Sequence, residues 1–183
     1  MKKYRNHLAG CGGMALLLVA CCAFATQSKD NPPKEKPKEE EIEVAVIVNP
    51  ANPVEALSLA ELRKIFAGEK QSWGSPGPIS LFVRGPGARE RDVLLNRVLK
   101  MNESEYQEHW VRKIYSGEAP RQPLALLSNG MQLEAIRAEK GAIALIAYKD
   151  IHQGVKMIKI DGRIPGMNGY PLKWSAPQPA LDK

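Results

Sequence analysis

Two short apolar runs constrain this chain more than any other feature. "VAVIV" (Val44–Val48) is a β-branched run too short for a stable helix and reads as a buried strand. "AIALIAY" (Ala142–Tyr148) reads as a second strand close to the other end of the globular part. "ISLFV" (Ile79–Val83) and "VKMIKI" (Val155–Ile160) have the same character.

Helical patterns separate these runs. Ser58 and Glu61 have the spacing of a capping box, Leu59, Leu62, Ile65 and Phe66 form one apolar face, and Gly68 is a C-terminal stop. Ser104 and Gln107 suggest a second capping box ahead of "EYQEHWVRKIY". A further helix is expected to start near Ser128 and to stop at Gly141, and "RGPGARERDVLLNRVLK" turns from the strand before it into a helix ending near Lys100. Alternating strands and helices predict an α/β domain with helices packed against a sheet. No internal repeat is present.

Both termini read differently. Residues 1–25 carry Lys2, Lys3 and Arg5 ahead of the short apolar core "MALLLVACCAFA", the pattern of an export signal. That core is shorter than the ~20 apolar residues a membrane-spanning helix needs. "LVAC" (Leu18–Cys21) has the form of a bacterial lipobox, with Cys21 as the lipid-modified residue. "AFA" (Ala23–Ala25) has the form of an ordinary signal-peptidase site. Either processing route predicts an exported protein, periplasmic or held at the membrane through a lipid anchor. Residues 26–43, "TQSKDNPPKEKPKEEEIE", are proline-rich and charged, and read as a disordered tether that suits an anchored domain. Residues 173–183 read as a frayed tail after a domain spanning 44–172.

Composition excludes several classes of function. All three cysteines (Cys11, Cys21, Cys22) fall within the signal, so the folded body has neither disulfides nor thiolate ligands. Without the signal's three cations, 23 basic residues face 20 acidic ones, and no basic run is interleaved with aromatics. Nucleic acid is therefore not an expected partner. His109 and His152 lack metal-ligand spacing, and no P-loop, nucleophile elbow or carboxylate pair stands out, so neither metal, cofactor nor catalysis is expected.

Taken together, "VAVIVNPANPV", "LSLAELRKIFAGEKQSW", "RGPGARERDVLLNRVL", "GAIALIAY" and "YPL" resemble the periplasmic phosphate-binding proteins of ABC phosphate transporters, and particularly their short single-domain relatives. The likeness covers about Val44 to Leu172. It implies a periplasmic-binding-protein-like lobe, a mixed sheet flanked by helices, and a non-catalytic role in binding a small anion beside an ABC permease. Full-length members clamp the anion between two lobes. This chain has room for about one lobe of 100–150 residues, so a complete two-lobe clamp is not expected from length; one alternative is that a second copy or another protein supplies the other half.

Carried over residue by residue, the family turn Gly-Ser-Gly-Thr falls on Gly85, Pro86, Gly87 and Ala88. Both glycines remain and both hydroxyls are absent. Arg84 is the nearest counterpart of the family's anion-binding arginine, and Arg89 follows the turn. Pro86 also removes an amide donor. Each hydrogen bond to a charged partner contributes about 1.5–3 kcal/mol, so three losses predict phosphate binding weaker by several powers of ten. Arg84 and Arg89 could hold an oxyanion bidentately, or they could be solvated arginines flanking a turn. Asn49 and Asn52 sit where the family places ligand contacts, and Asn-Pro is also ordinary turn chemistry. Ser128 is either a helix cap or a ligand contact. The resemblance thus leaves two functions open: a binding module for phosphate or another small anion, or a degenerate lobe acting as an envelope interaction or scaffold module.

Overall fold

The computed structural model describes residues 41–174. The export signal, Cys21, most of the tether and the last nine residues lie outside that range. Seven strands form one sheet: β1 (Ile42–Val48), β2 (Ala56–Leu57), β3 (Ser80–Arg84), β4 (Leu124–Leu126), β5 (Ala142–Ala147), β6 (Lys156–Ile160) and β7 (Lys173–Trp174). The spatial order is β2-β6-β1-β5-β3-β4, with β7 pairing to the start of β1. β1 is antiparallel to β5, β6 and β7, whereas β3 is parallel to β4 and β5, and β2 to β6. All other strands therefore run opposite to β1, and the sheet is mixed as expected.

The continuous apolar runs have a direct cause. Val44, Val46 and Val48 join one apolar cluster, while Ala45 and Ile47 join a second on the opposite face. β5 divides in the same way, with Ile143 and Leu145 on one side and Ala142, Ala144 and Ile146 on the other. A strand covered on both faces cannot alternate apolar with polar residues. On the first face pack α1 (Leu59–Phe66), α2 (Arg89–Val93) and α3 (Glu103–Tyr115), through Leu62, Ile65, Phe66, Val93, Tyr106 and Trp110. α4 (Asn129–Ala138) covers the second through Leu133 and Ile136.

Local signals explain most element boundaries. Ser58 accepts from the Glu61 amide while the Glu61 carboxylate accepts from the Ser58 amide, so the expected capping box is formed. The second box is built on Asn102 and Glu105 rather than Ser104 and Gln107, starting α3 two residues earlier. α2 continues without interruption into a π-helical segment, Leu94–Leu99, which ends at Lys100 in a left-handed conformation (φ 60°). α4 ends at Ala138, three residues before Gly141.

Both outer boundaries of the domain shift together. Ile42 and Glu43, expected in the tether, pair with Trp174 and Lys173, expected in the tail. Composition could not reveal this, because each segment becomes a strand only through the other.

Two motifs behind the family likeness meet at the amino end of β5. The Trp73 indole Nε1 donates to the Gly141 carbonyl at 2.9 Å, and the same carbonyl accepts from the Ser80 amide at 3.0 Å. A Cβ on Gly141 would lie 2.0 Å from the Pro78 carbonyl oxygen, so only glycine fits. Gly68, in the left-handed region (φ 71°), lies against the Trp110 ring in the same way.

Candidate functional site

Because every strand except β1 runs in one direction, the carboxyl ends of β3, β4, β5 and β6 share one end of the sheet. Open α/β sheets bind their ligands just outside such strand ends. Arg84 is the last residue of β3 and is paired with Leu126, the last residue of β4. The connection that follows is compact. Ala88 N–H donates to the Gly85 carbonyl at 3.3 Å, Pro86 occupies the second position, and Gly87 has φ 82°. This is a Pro-Gly type II turn, which needs a residue tolerant of positive φ at its third position.

Arg84 is not a solvated arginine, since its side chain is only 15% exposed. Its Nη1 donates to the Leu126 carbonyl at 3.1 Å. Its Nε lies 3.7 Å from Glu90 Oε2, near enough for an ion pair but beyond hydrogen-bond reach, and has no hydrogen-bond partner. Glu90, in the first turn of α2, is 7% exposed. The Asn129 amide nitrogen donates to Glu90 Oε1 at 2.8 Å and to Asp150 Oδ2 at 2.6 Å. Its two protons thus clamp two carboxylates, one from α2 and one from the short turn after β5.

Beneath this cluster, Arg91 forms a two-pronged pair with Glu103, through Nε at 3.0 Å and Nη2 at 2.7 Å. Its Nη1 donates to the Arg84 carbonyl at 3.3 Å, and its guanidinium lies 4.4 Å from the centre of the Tyr106 ring. The hydrogen bonds from Arg91 hold the Glu103 carboxyl below the usual carboxylate range. Burial pushes the Tyr106 hydroxyl up to about 12. Arg91 therefore ties α2, α3 and the end of β3 into one unit.

The expected site residues separate into two places. Arg84, Gly85, Gly87 and Arg89 form one continuous turn, and Gly85 N–H donates to the Leu126 carbonyl, two residues before Ser128. The Arg89 guanidinium lies 5.2 Å from the Trp174 ring centre. Ser128 caps α4, its hydroxyl accepting from the Met131 amide at 3.1 Å. Asn52 is the exception, because it follows the end of the one reversed strand: Val48 is level with Ile143, near the start of β5. It is therefore at the opposite end of the sheet from Arg84. There its Oδ1 accepts from Val54 N–H at 3.0 Å, an Asx turn, and its carbonyl accepts from Lys156 Nζ. Asn49 donates to the carbonyls of Ile136 and Arg137, closing the end of α4.

Sequence reasoning missed Glu90, Asn129, Asp150 and Arg91. Glu90 reads as an ordinary helix-start acid, and Asn129 is hidden beside the stronger cap signal of Ser128. Only the fold brings them together.

Among the described residues, hollows accompany both ends of the sheet. One of about 300 Å³, bounded by Glu41, Glu43, Tyr148 and Lys149, lies at the carboxyl end. A larger one of about 350 Å³, bounded by Ile79, Leu81, Trp110, Pro120 and Leu124, lies at the amino ends of β3 and β4, away from Arg84. Among the described residues no group of three or more His, Cys, Asp or Glu side chains is placed to hold a metal ion. Nor is any described helix long and apolar enough to cross a membrane.

Comparison with known proteins agrees with this fold. The family described as the PBP superfamily domain matches residues 42–173. Among solved structures, an ABC-type phosphate transport receptor from Vibrio cholerae superposes with a TM-score of 0.60 at 20% identity, covering 74% of this chain and 55% of that one. PstS from Borrelia burgdorferi gives a TM-score of 0.58 at 17% identity, covering 74% of this chain and 55% of its own. The chain thus spans about half the length of the solved structures it matches, and at these identities the likeness is one of fold.

Proposed function

Since the chain belongs to the PBP superfamily, matched over residues 42–173, we propose that it is an exported, non-catalytic binding domain of the substrate-binding-protein type. In this reading it takes a small oxyanion, phosphate foremost, at the carboxyl end of the sheet and serves an ABC transporter. One observation carries the reading: Arg84, largely buried at the end of β3, directs its guanidinium into a polar cluster at the sheet end where α/β folds bind ligands. The Vibrio cholerae structure, described as an ABC-type phosphate transport receptor, supports the choice of ligand class.

Pro86 and Ala88 supply no hydroxyl, so binding is weak compared with a turn rich in donors. Isothermal titration of the mature protein with phosphate, sulfate and acetate tests the reading. Phosphate should give a saturable heat in the millimolar range or below, and Arg84→Gln should abolish it. A Pro86→Ser, Ala88→Thr double variant should bind phosphate more tightly. If neither the wild-type protein nor the double variant responds to any oxyanion, the reading fails.

A second reading is favoured by Glu90, a carboxylate that already neutralises Arg84. Here the domain is an envelope interaction or scaffold module that has lost its ligand. Leu127, 80% exposed and one residue after Leu126, whose carbonyl accepts from the Gly85 amide, is a suitable position for a photo-crosslinking residue in intact cells. A discrete crosslinked species, together with silent titrations, would favour this second reading.

A further inference from the structure

The ion pair at the end of β3 has an unusual form. Glu90 is buried, yet its carboxylate makes no hydrogen bond to Arg84, whose Nε is left without one at 3.7 Å. The carboxylate is instead held by Asn129, which holds Asp150 with its other proton. An arginine fixed through Nη1 to the Leu126 carbonyl thus faces a negative charge that is anchored from elsewhere.

We infer that Glu90 is a built-in counter-ion that sets the affinity of the Arg84 site, its carboxylate holding the position beside Arg84 Nε that an incoming oxyanion needs. The inference rests on the oxyanion reading above and adds the residue that determines how tightly the site binds. An anion reaching Arg84 meets two carboxylates, Glu90 and Asp150, linked through a single amide. It must turn Glu90 aside, breaking the 2.8 Å bond to Asn129, before Nε becomes available. The charge of Arg84 is therefore balanced when the site is empty, although its Nε lacks a hydrogen bond, and only a ligand that replaces the Glu90 charge fully can occupy it. Like charges a few ångströms apart in a partly buried cluster repel strongly enough to change binding tenfold or more.

The test is titration of inorganic phosphate and sulfate into wild-type protein, Glu90→Gln, Glu90→Ala and Asp92→Asn. Glu90→Gln keeps an acceptor for Asn129 and removes the charge, and Glu90→Ala provides a second removal should the glutamine variant fold poorly. Asp92→Asn removes the same charge from the same turn of α2 without touching the cluster. Both Glu90 variants should bind at least about tenfold more tightly than wild type, while Asp92→Asn changes affinity by less than about twofold. If wild type shows no heat and the Glu90 variants bind, the counter-ion role is supported with a lower limit on its size. If wild type binds and the Glu90 variants bind no tighter, the counter-ion role is overturned and the oxyanion reading stands. An equal gain in Asp92→Asn also overturns it, since net charge then explains the change. If no protein in the set binds either anion, both fail together.

Discussion

At the amino end of the sheet, Trp73 donates to the Gly141 carbonyl at 2.9 Å and Gly141 abuts the Pro78 backbone, leaving no room for a methyl group. At the carboxyl end, Arg84 stands 3.7 Å from a carboxylate it does not hydrogen-bond, and the helix beyond the turn starts at Ala88 with no side-chain cap. At the first end the Trp73–Gly141 contact is hydrogen-bonded and tolerates no change of shape. The other has a donor without an acceptor and a helix start without a cap. Structures commonly leave such local inconsistencies where a ligand completes the arrangement. On the oxyanion reading proposed above, the contrast separates the part of the molecule that specifies the fold from the part available for binding.

The largest expected effect breaks the contact at the amino end. Gly141→Ala would place a Cβ 2.0 Å from the Pro78 carbonyl oxygen, a contact with backbone that no rotamer change relieves. The strands must separate, and the loss should reach about 3 kcal/mol, the upper end of overpacking penalties. Urea denaturation should show the midpoint falling with little change in slope. A midpoint within error of wild type would mean that the Trp73–Gly141 contact does not lock this end of the sheet.

The open end should instead gain from substitution. Ala88 already has the extended N-cap conformation (φ −81°, ψ 139°) but no side chain to accept from the first-turn amides. Ala88→Ser should add about 1 kcal/mol of stability, the usual worth of a capping hydroxyl. The same denaturation experiment measures it. A serine that leaves stability unchanged would show that those amides are already satisfied, weakening the contrast between the two ends.

The same contrast governs what could be read from the sequence. The runs at 44–48 and 142–147 were legible because burial on both faces leaves an unbroken apolar signal. The Ser58–Glu61 box was legible because its whole chemistry lies within four residues. The second box was misplaced because Asn102–Glu105 and Ser104–Gln107 both have the right spacing, and which of them forms depends on where Tyr106 and Trp110 pack. β2, β4 and β7 span two or three residues, too few for any pattern to register. At the site, Arg84 and its turn were visible as a local motif. The groups that set its electrostatics were not, since Asn129 lies 39 residues from Glu90 and 21 from Asp150. Asn52 was grouped with them because sequence order does not reveal that β1 alone runs backwards.

The smallest expected effect concerns the pair beneath the site, where Arg91 braces the Arg84 carbonyl and grips Glu103. Hydrogen bonds from Arg91 hold the folded-state pKa of Glu103 below its ordinary value of 4.5. A depressed carboxylate contributes stability that is complete above the unfolded-state value and fades as pH falls through the folded-state value. Wild type should therefore be more stable than Glu103→Gln at pH 6–7, and the two should converge on acidification below about pH 4. The Glu103 side chain is 41% exposed, so solvent screening should keep the neutral-pH difference below about 1 kcal/mol. Denaturation at a series of pH values reads this directly. A difference that persists undiminished into acid would assign the contribution of Glu103 to side-chain packing rather than to its charge, and Arg91 would then brace the carboxyl end chiefly through its bond to the Arg84 carbonyl and its place over the Tyr106 ring.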